Sequence, residues 1–255
     1  MDPQADLALL ERLDNKNIVD NSLLKENDRA HEIEVKTDWA ALLDTSVPEL
    51  VAERIGEHEI WLIPNLFSEE ECKALLSESE KLGFGGTHYP KHYRGNLRLL
   101  TTDQSLANAV WHRLRPIVPQ ILQVPHVKGD WEPIGLNECW RLAKYYPGDR
   151  FMGHCDANFT RRRDVEESMF TVNVYMNDGF EGGSTRFYLN KDNERRPDVS
   201  VVPRTGLCLL FRQPPGQSYY HDGEQLGTGV KYLFRSDVMY RKTQNGKEEF
   251  DSDQD

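Results

Sequence analysis

No stretch of this sequence approaches the roughly 18 consecutive apolar residues that a membrane-spanning helix needs, which excludes a helical membrane protein. Positive charge is scarce as well: 31 Lys plus Arg face 42 Asp plus Glu, for a formal net charge of −11. The only basic cluster is Arg161–Arg163. A general nucleic-acid binder, which must neutralise phosphates over a surface, does not fit that balance. The four cysteines, Cys72, Cys139, Cys155 and Cys208, form no C-x-x-C pair, which argues against a structural zinc knuckle. Dispersed as they are, they read as reduced small hydrophobes of an intracellular chain. The opening Met1-Asp-Pro-Gln-Ala-Asp6 has neither the basic nor the apolar region of a secretory signal, so a cytoplasmic location is expected. Phosphate-cradling glycine motifs and internal repeats are also missing, which sets nucleotide enzymes far back.

What is present is a chain of 255 residues, 38% hydrophobic and 10% aromatic, long enough to bury a sizeable core. Four regions are expected: an acidic arm over 1–45, a helical support over 46–135, a β-rich core over 136–242 and an acidic tail over 243–255. The arm carries short apolar clusters at Leu7–Leu10 and Trp39–Leu43, suited to one or two surface helices. Ile60–Ile63 reads as a strand stopped by Pro64-Asn65. Ser68 and Glu71 spell a capping box, and the helix it opens, Ser68–Leu82, puts Cys72, Leu75, Leu76 and Leu82 on one side. A second helix fits Asp103–Arg115, with Leu106, Val110 and Leu114 inward and Pro116 as its stop. Between the helices, Gly83–Thr102 reads as a loop with room for a hairpin. After residue 136 the strand-like runs Cys139–Tyr146, Ser168–Met176, Thr185–Leu189, Val199–Val202, Gly206–Phe211 and Lys231–Tyr240 alternate with Gly- and Pro-rich turns. Many short strands without intervening helices predict a sandwich or barrel.

Within the core, His154 and Asp156 are two residues apart, so on a strand they project to one face while Cys155 points away. His221 follows 67 residues later, and Lys231 ten residues after that. Two imidazoles and one carboxylate make a facial triad for a divalent metal and leave positions open for a 2-oxo acid and O2. Lys231 reaches the far carboxylate of such an acid if the chain turns at Gly227–Gly229 and returns beside the strand of His221. A lysine inside a barrel calls for an anionic partner.

These residues resemble the prolyl 4-hydroxylase-like branch of the Fe(II)/2-oxoglutarate-dependent dioxygenases. The likeness runs from about Asn137 to Arg241, through Trp140-Arg-Leu-Ala-Lys-Tyr-Tyr-Pro-Gly-Asp-Arg-Phe-Met-Gly-His-Cys-Asp156, Thr171–Asp178, Glu181-Gly-Gly-Ser-Thr185, Val202–Gly206 and Leu209-Leu-Phe211 to His221 and Lys231. It implies an α+β, mainly β fold: a double-stranded β-helix (a jelly roll, cupin-like) braced by the N-terminal helices. It also implies that His154, Asp156 and His221 bind Fe(II) and that Lys231 and Tyr175 hold 2-oxoglutarate, with Tyr145, Thr171 and Asn173 lining the same pocket. The implied reaction hydroxylates a C–H bond of a prolyl peptide, amino acid or small molecule. It consumes O2 and 2-oxoglutarate and releases succinate and CO2, with ascorbate as helper. An acid at position 156 favours hydroxylation, because Gly or Ala there would open a halide site.

Arg235, four residues beyond Lys231, shares its face and is open to three partners: 2-oxoglutarate, an acidic group of the substrate, or Asp237 or Asp222. Arg94, Asn96 and Arg98, in the segment between the helices, are candidates for substrate contact. Arg161 stands in a charged segment read as a loop, either solvated or a lid for an acidic substrate. The competing readings are a non-catalytic metal-binding sensor module and a zinc-dependent hydrolase on the same triad, against which Lys231 argues. The other histidines show no ligand spacing.

Overall fold

The structure is a computed structural model, and it describes residues 33–46, 49–124, 129–163, 165–190, 196–214 and 216–243. Leu7–Leu10 and the acidic tail beyond residue 243 lie outside the described residues. The first strands are β1 (Ile33–Lys36), β2 (Glu53–Arg54), β3 (Ile60–Ile63) and β4 (Leu97–Thr102), followed by β5 (Leu122–Gln123), β6 (Asp130–Leu136) and β7 (Cys139–Tyr145). Next come β8 (Phe151–His154), β9 (Thr160–Arg162), β10 (Glu166–Tyr175), β11 (Glu181–Gly182) and β12 (Thr185–Phe187). The last are β13 (Val199–Val201), β14 (Cys208–Arg212), β15 (His221–Gly223), β16 (Leu226–Thr228) and β17 (Lys231–Lys242). Two helices, α1 (Glu69–Leu82) and α2 (Gln104–Leu114), complete the regular elements together with a single 3-10 turn at Ala40–Leu42.

An eleven-stranded sheet runs β1-β4-β7-β17-β10-β14-β3-β2, with β6 beside the far half of β17, β5 on β6, and β9 beside β10. A second sheet, β13-β12-β15-β8, supplies the other wall. Strand β10 is buried along its whole length, and its period of two decides what each face does. Phe170, Val172 and Val174 join Cys208, Leu210, Leu142 and Phe234 in the larger apolar core, which also contains Cys72 and Leu75 of α1 and Leu106, Val110 and Leu114 of α2. Thr171, Asn173 and Tyr175 face the other way; Tyr175 packs with Ile60, Leu209, Phe211 and, from the second sheet, Phe187 and Val201. Helices back one side of the large sheet and the small sheet closes the other. This is the jelly roll.

The expected capping box is present. Ser68 Oγ accepts the Glu71 N–H at 3.1 Å, and Glu71 Oε2 accepts the Ser68 N–H at 2.8 Å. Glu71 also takes a buried two-pronged ion pair from Arg113 of α2, at 2.6 and 2.9 Å, which locks the two helices together. Leu82 departs from the expectation: it is exposed, because α1 ends there and Gly83 turns the chain away. Segment 83–102 is no plain loop either. Its last six residues form β4, which pairs with β7 and, in parallel, with β1. In the arm, the Trp39–Leu43 cluster forms a short 3-10 turn at Ala40–Leu42, and strand β1, which the sequence did not suggest, precedes it. Both strands are short and take their conformation from a neighbour, β4 from β7 and β1 from β4.

Candidate active site

The turn Pro147–Arg150 reverses β7 into β8. Gly148 at φ 90° takes its left-handed position, and the Tyr146 N–H donates to Asp149 Oδ2 at 2.8 Å. Strand β8 then pairs antiparallel with β15 so that His154 lies directly opposite His221. Neighbourhood across one strand pair thus replaces 67 residues of sequence separation, and the two imidazole centroids lie 4.3 Å apart. Phe151 stacks on His154 at 3.7 Å, while Phe211 and Phe187 wall in His221 at 4.9 and 5.5 Å. Asp156, just past the end of β8, brings its carboxylate to the same point. One ligand atom from each of His154, Asp156 and His221 lies within 4.8 Å of the others.

Hydrogen bonds settle which nitrogens face inward. His154 Nδ1 lies 2.8 Å from the Met152 carbonyl and His221 Nδ1 2.9 Å from the Tyr219 carbonyl. A carbonyl only accepts, so each Nδ1 carries the proton and each Nε2 presents a lone pair. Those Nε2 atoms lie 3.5 and 4.0 Å from the Asp156 oxygens. Burial drops the His221 pKa to about 4, which keeps that imidazole neutral. Burial alone would raise Asp156, but Arg235 at 3.0 Å and the two imidazoles outweigh it and hold the carboxyl far below its ordinary range. Thr171 Oγ1 donates to the second Asp156 oxygen at 2.7 Å. Two imidazole nitrogen donors and one carboxylate oxygen donor form a set that fits a ferrous ion.

The other end of the cavity lies along β10 and β17. On the inner face Thr171, Asn173 and Tyr175 form one row and Arg235, Leu233 and Lys231 the next, since β10 and β17 pair Asn173 with Arg235 and Tyr175 with Leu233. Four residues of strand separate the triad level from the Lys231 level, about 13 Å at ~3.3 Å per residue. Lys231 is buried, donates to the Gly183 carbonyl at 2.5 Å and lies over the rings of Tyr145 and Tyr175 at 5.2 and 5.5 Å. Burial lowers its pKa to about 8, against a partial pull from Glu224. The Tyr175 hydroxyl donates to Thr185 Oγ1 at 2.7 Å, and Asn173 Oδ1 is buried between the two ends without a hydrogen-bond partner among the described residues. Lys231 does not sit beside His221 on a hairpin, as the turn at Gly227–Gly229 suggests. The chain changes sheets through β16, so the two residues belong to opposite walls of the barrel.

The remaining sequence candidates divide. Tyr145, Thr171, Asn173 and Tyr175 line the cavity face. Arg235 sits at the level of the triad, on Asp156 and 3.4 Å from Asp237, while Asp222 pairs with Arg186. Arg94 covers the Phe151 ring at 4.4 Å, and its Nε donates to Asn96 Oδ1 at 2.9 Å. Arg98 is on β4, opposite Ala143. Arg161 is on β9 rather than in a loop, and its ion pairs run to Glu138 and Glu166. Thr185 and Gly183 were missed by residue-level reasoning, although both stand in the Glu181–Thr185 motif. Gly183, at φ 71°, puts its carbonyl on Lys231, and a Cβ there would come within 3.2 Å of the Lys231 chain.

Residues 140–236 match the family described as the 2OG-Fe(II) oxygenase superfamily. Among solved structures, a prolyl hydroxylase from Trichoplax adhaerens, in complex with a hypoxia inducible factor oxygen degradation domain peptide fragment, shares the fold. Its TM-score is 0.52 and its identity 16%, over 71% of this chain and 84% of that one. The viral collagen prolyl hydroxylase of Paramecium Bursaria Chlorella virus-1 aligns at TM-score 0.49 and 18% identity, over 72% of this chain and 97% of that one. A Pseudomonas putida prolyl-4-hydroxylase aligns at 0.48 and 16%, over 73% and 94%. No curated protein shows a significant match. Over residues 140–236 this chain is thus similar to the 2OG-Fe(II) oxygenase superfamily, and it shares its fold with the Trichoplax adhaerens prolyl hydroxylase.

Proposed function

We infer that the protein is an Fe(II)- and 2-oxoglutarate-dependent hydroxylase. In this reading His154, Asp156 and His221 hold the iron, and Lys231 receives the distal carboxylate of 2-oxoglutarate. The observation that carries it is the pairing of two features on the inner face of the barrel: imidazole Nε2 atoms turned inward at one end, and at the other a desolvated lysine with no carboxylate at ion-pair distance among the described residues. The overall change is R–H plus O2 plus 2-oxoglutarate to R–OH plus succinate plus CO2. Ferrous iron, when bound, supplies the redox chemistry that links these reactants.

The chain's own residues do the rest. The Met152 and Tyr219 carbonyls orient the imidazoles, and Thr171 fixes one Asp156 oxygen, so the donors are arranged before metal arrives. Lys231, flanked by Tyr145 and Tyr175, supplies the charge that a dianionic acid needs in a desolvated site. The Asn173 amide lies between the two ends, within reach of the acid's midsection. Phe151, Phe187 and Phe211 exclude water around the histidines. A buried cation with no anion has no place in a zinc-dependent hydrolase, and that supports the oxygenase over the hydrolase.

The test is succinate formation from 2-oxoglutarate with Fe(II), ascorbate and air over a panel of prolyl peptides and free amino acids, with His154→Ala as the blank. Anaerobic addition of 2-oxoglutarate to the ferrous protein is expected to produce a visible charge-transfer band. Succinate at blank level together with no band would remove this reading and leave a sensor or binding module.

A further inference from the structure

Beside Lys231, the inner face of the large sheet carries further cations. The pairings of β4, β7 and β17 put Arg98 opposite Ala143, Ala143 opposite Leu233, and Arg141 opposite Arg235. With a period of two, Arg98, Arg141 and Arg235 share the face that carries Lys231. Such a concentration stands out in a chain of net charge −11. Asp237 takes Arg141 at 2.9 Å and Arg235 at 3.4 Å, and Asp156 takes Arg235 at 3.0 Å. A divalent cation at Asp156 competes for the oxygen that Arg235 uses, so metal loading frees part of the Arg235 charge.

Arg94 approaches the same place from the segment ahead of β4, where it bridges to Phe151. Its guanidinium covers the Phe151 ring, whose opposite contact is the His154 imidazole. Asn96 is its one hydrogen-bond partner among the described residues, through Nε, and no carboxylate lies within ion-pair distance of it among those residues. Burial, with Arg98 and Arg235 nearby, lowers its pKa to about 10, and the buried Tyr145 phenol lies in the field of all three guanidinium groups. Arg235 Nε is also buried and has no protein acceptor. A guanidinium without a carboxylate partner in a desolvated pocket, as that of Arg94 is among the described residues, is costly until an anion arrives.

We propose that the primary substrate carries a carboxylate and that Arg94 and Arg235 receive it beside the triad, placing the C–H bond to be oxidised over the metal. The site is separate from the Lys231 end, about 13 Å away along β17. Two planar guanidinium forks suit a planar carboxylate, which each can engage through two parallel N–H donors. The inference rests on the hydroxylase reading and names the substrate class for it.

The test uses protein loaded with Zn(II) and 2-oxoglutarate, so that binding is measured without turnover. Calorimetric titration compares N-acetylproline with N-acetylproline amide, and N-acetylleucine with its amide. At least one acid is expected to bind tenfold or more tightly than its amide, with the difference shrinking as salt rises. Arg94→Gln is expected to bring acid and amide within about twofold, and Arg94→Lys to restore part of the preference. Equal binding of both forms in both pairs, or a preference that survives in Arg94→Gln, overturns the proposal. Failure of the Zn(II) protein to bind 2-oxoglutarate would instead strike the hydroxylase reading. Should Arg94→Gln not fold, Arg94→Lys and the salt dependence of the unaltered protein decide the matter.

Discussion

The two faces of the large sheet are made by the same strands and do opposite work. On β10, Val172 and Val174 are held among apolar side chains from the helices, while Thr171 and Asn173, one residue away in each case, carry polar groups into the cavity. On β17, Phe234 and Val238 belong to the helix-backed core, and Lys231 and Arg235 to the site. Both faces are buried, yet only one is dry in its chemistry. Side-chain alternation keeps them apart, so a change on one face is expected to leave the other's task almost intact.

The largest expected effects lie on the cavity face. His154→Ala, Asp156→Ala and His221→Ala are each expected to cut substrate-dependent succinate formation at least about a thousandfold, because each removes a member of a unit that acts together. For His154→Ala and His221→Ala the thermal midpoints in the metal-free protein should stay close to that of the parent, whereas Asp156→Ala should lower it by taking one of its two carboxylates from a buried guanidinium. Asp156→Ala is the sharpest of the three, since it also strands the Arg235 charge. A triad variant that unfolds would show that the two faces are not independent.

On the helix-backed face, Phe234→Ala is expected to cost about 3–5 kcal/mol in a denaturant titration, the range for truncating a fully buried aromatic. Activity per folded molecule should be nearly unchanged. Next comes Lys231→Ala, which should raise the 2-oxoglutarate concentration needed for half-maximal turnover by about 10- to 100-fold, the worth of one charge-assisted contact at ~1.5–3 kcal/mol. An unchanged requirement would refute the role given to Lys231.

A further expected effect, on stability alone, belongs to the turn between β7 and β8. Burial raises the Asp149 carboxyl to about 7 from an ordinary 3.8. The folded state then holds a proton that the unfolded state has released, so stability should fall as pH rises from about 4 to about 7. Asp149→Asn should flatten that slope in urea titrations at a series of pH values. An identical slope in both proteins would show that Asp149 ionises freely.

Much of this was legible in the order of residues. The helix start at Ser68 was readable because a capping box is a contact over three residues, and the His154–Asp156 pair because a strand repeats every two. Lys231 was readable from its chemistry, since a lysine in a β-rich core needs an anion. Strands β1 and β4 were not, because four to six residues of ordinary composition become strands only when a partner such as β7 lies alongside. Leu82 misled because helical periodicity does not say where packing stops. Arg161 misled because a charged run looks the same in a loop and on an edge strand.

From its amino-acid order alone this protein was committed to a mainly β core, two helices, one with a capping box, and a candidate His-Asp-His cluster with a lysine in the same core, since each depends on spacing along the chain. The three-dimensional fold alone decided that the His154 and His221 imidazoles turn Nε2 inward, that Arg235 rests on Asp156 rather than at the Lys231 end, and that Arg94 reaches the site across Phe151. Those outcomes depend on hydrogen bonds, strand register and ring packing between segments far apart in sequence. No local pattern encodes such contacts; they come into being when the two sheets close on each other.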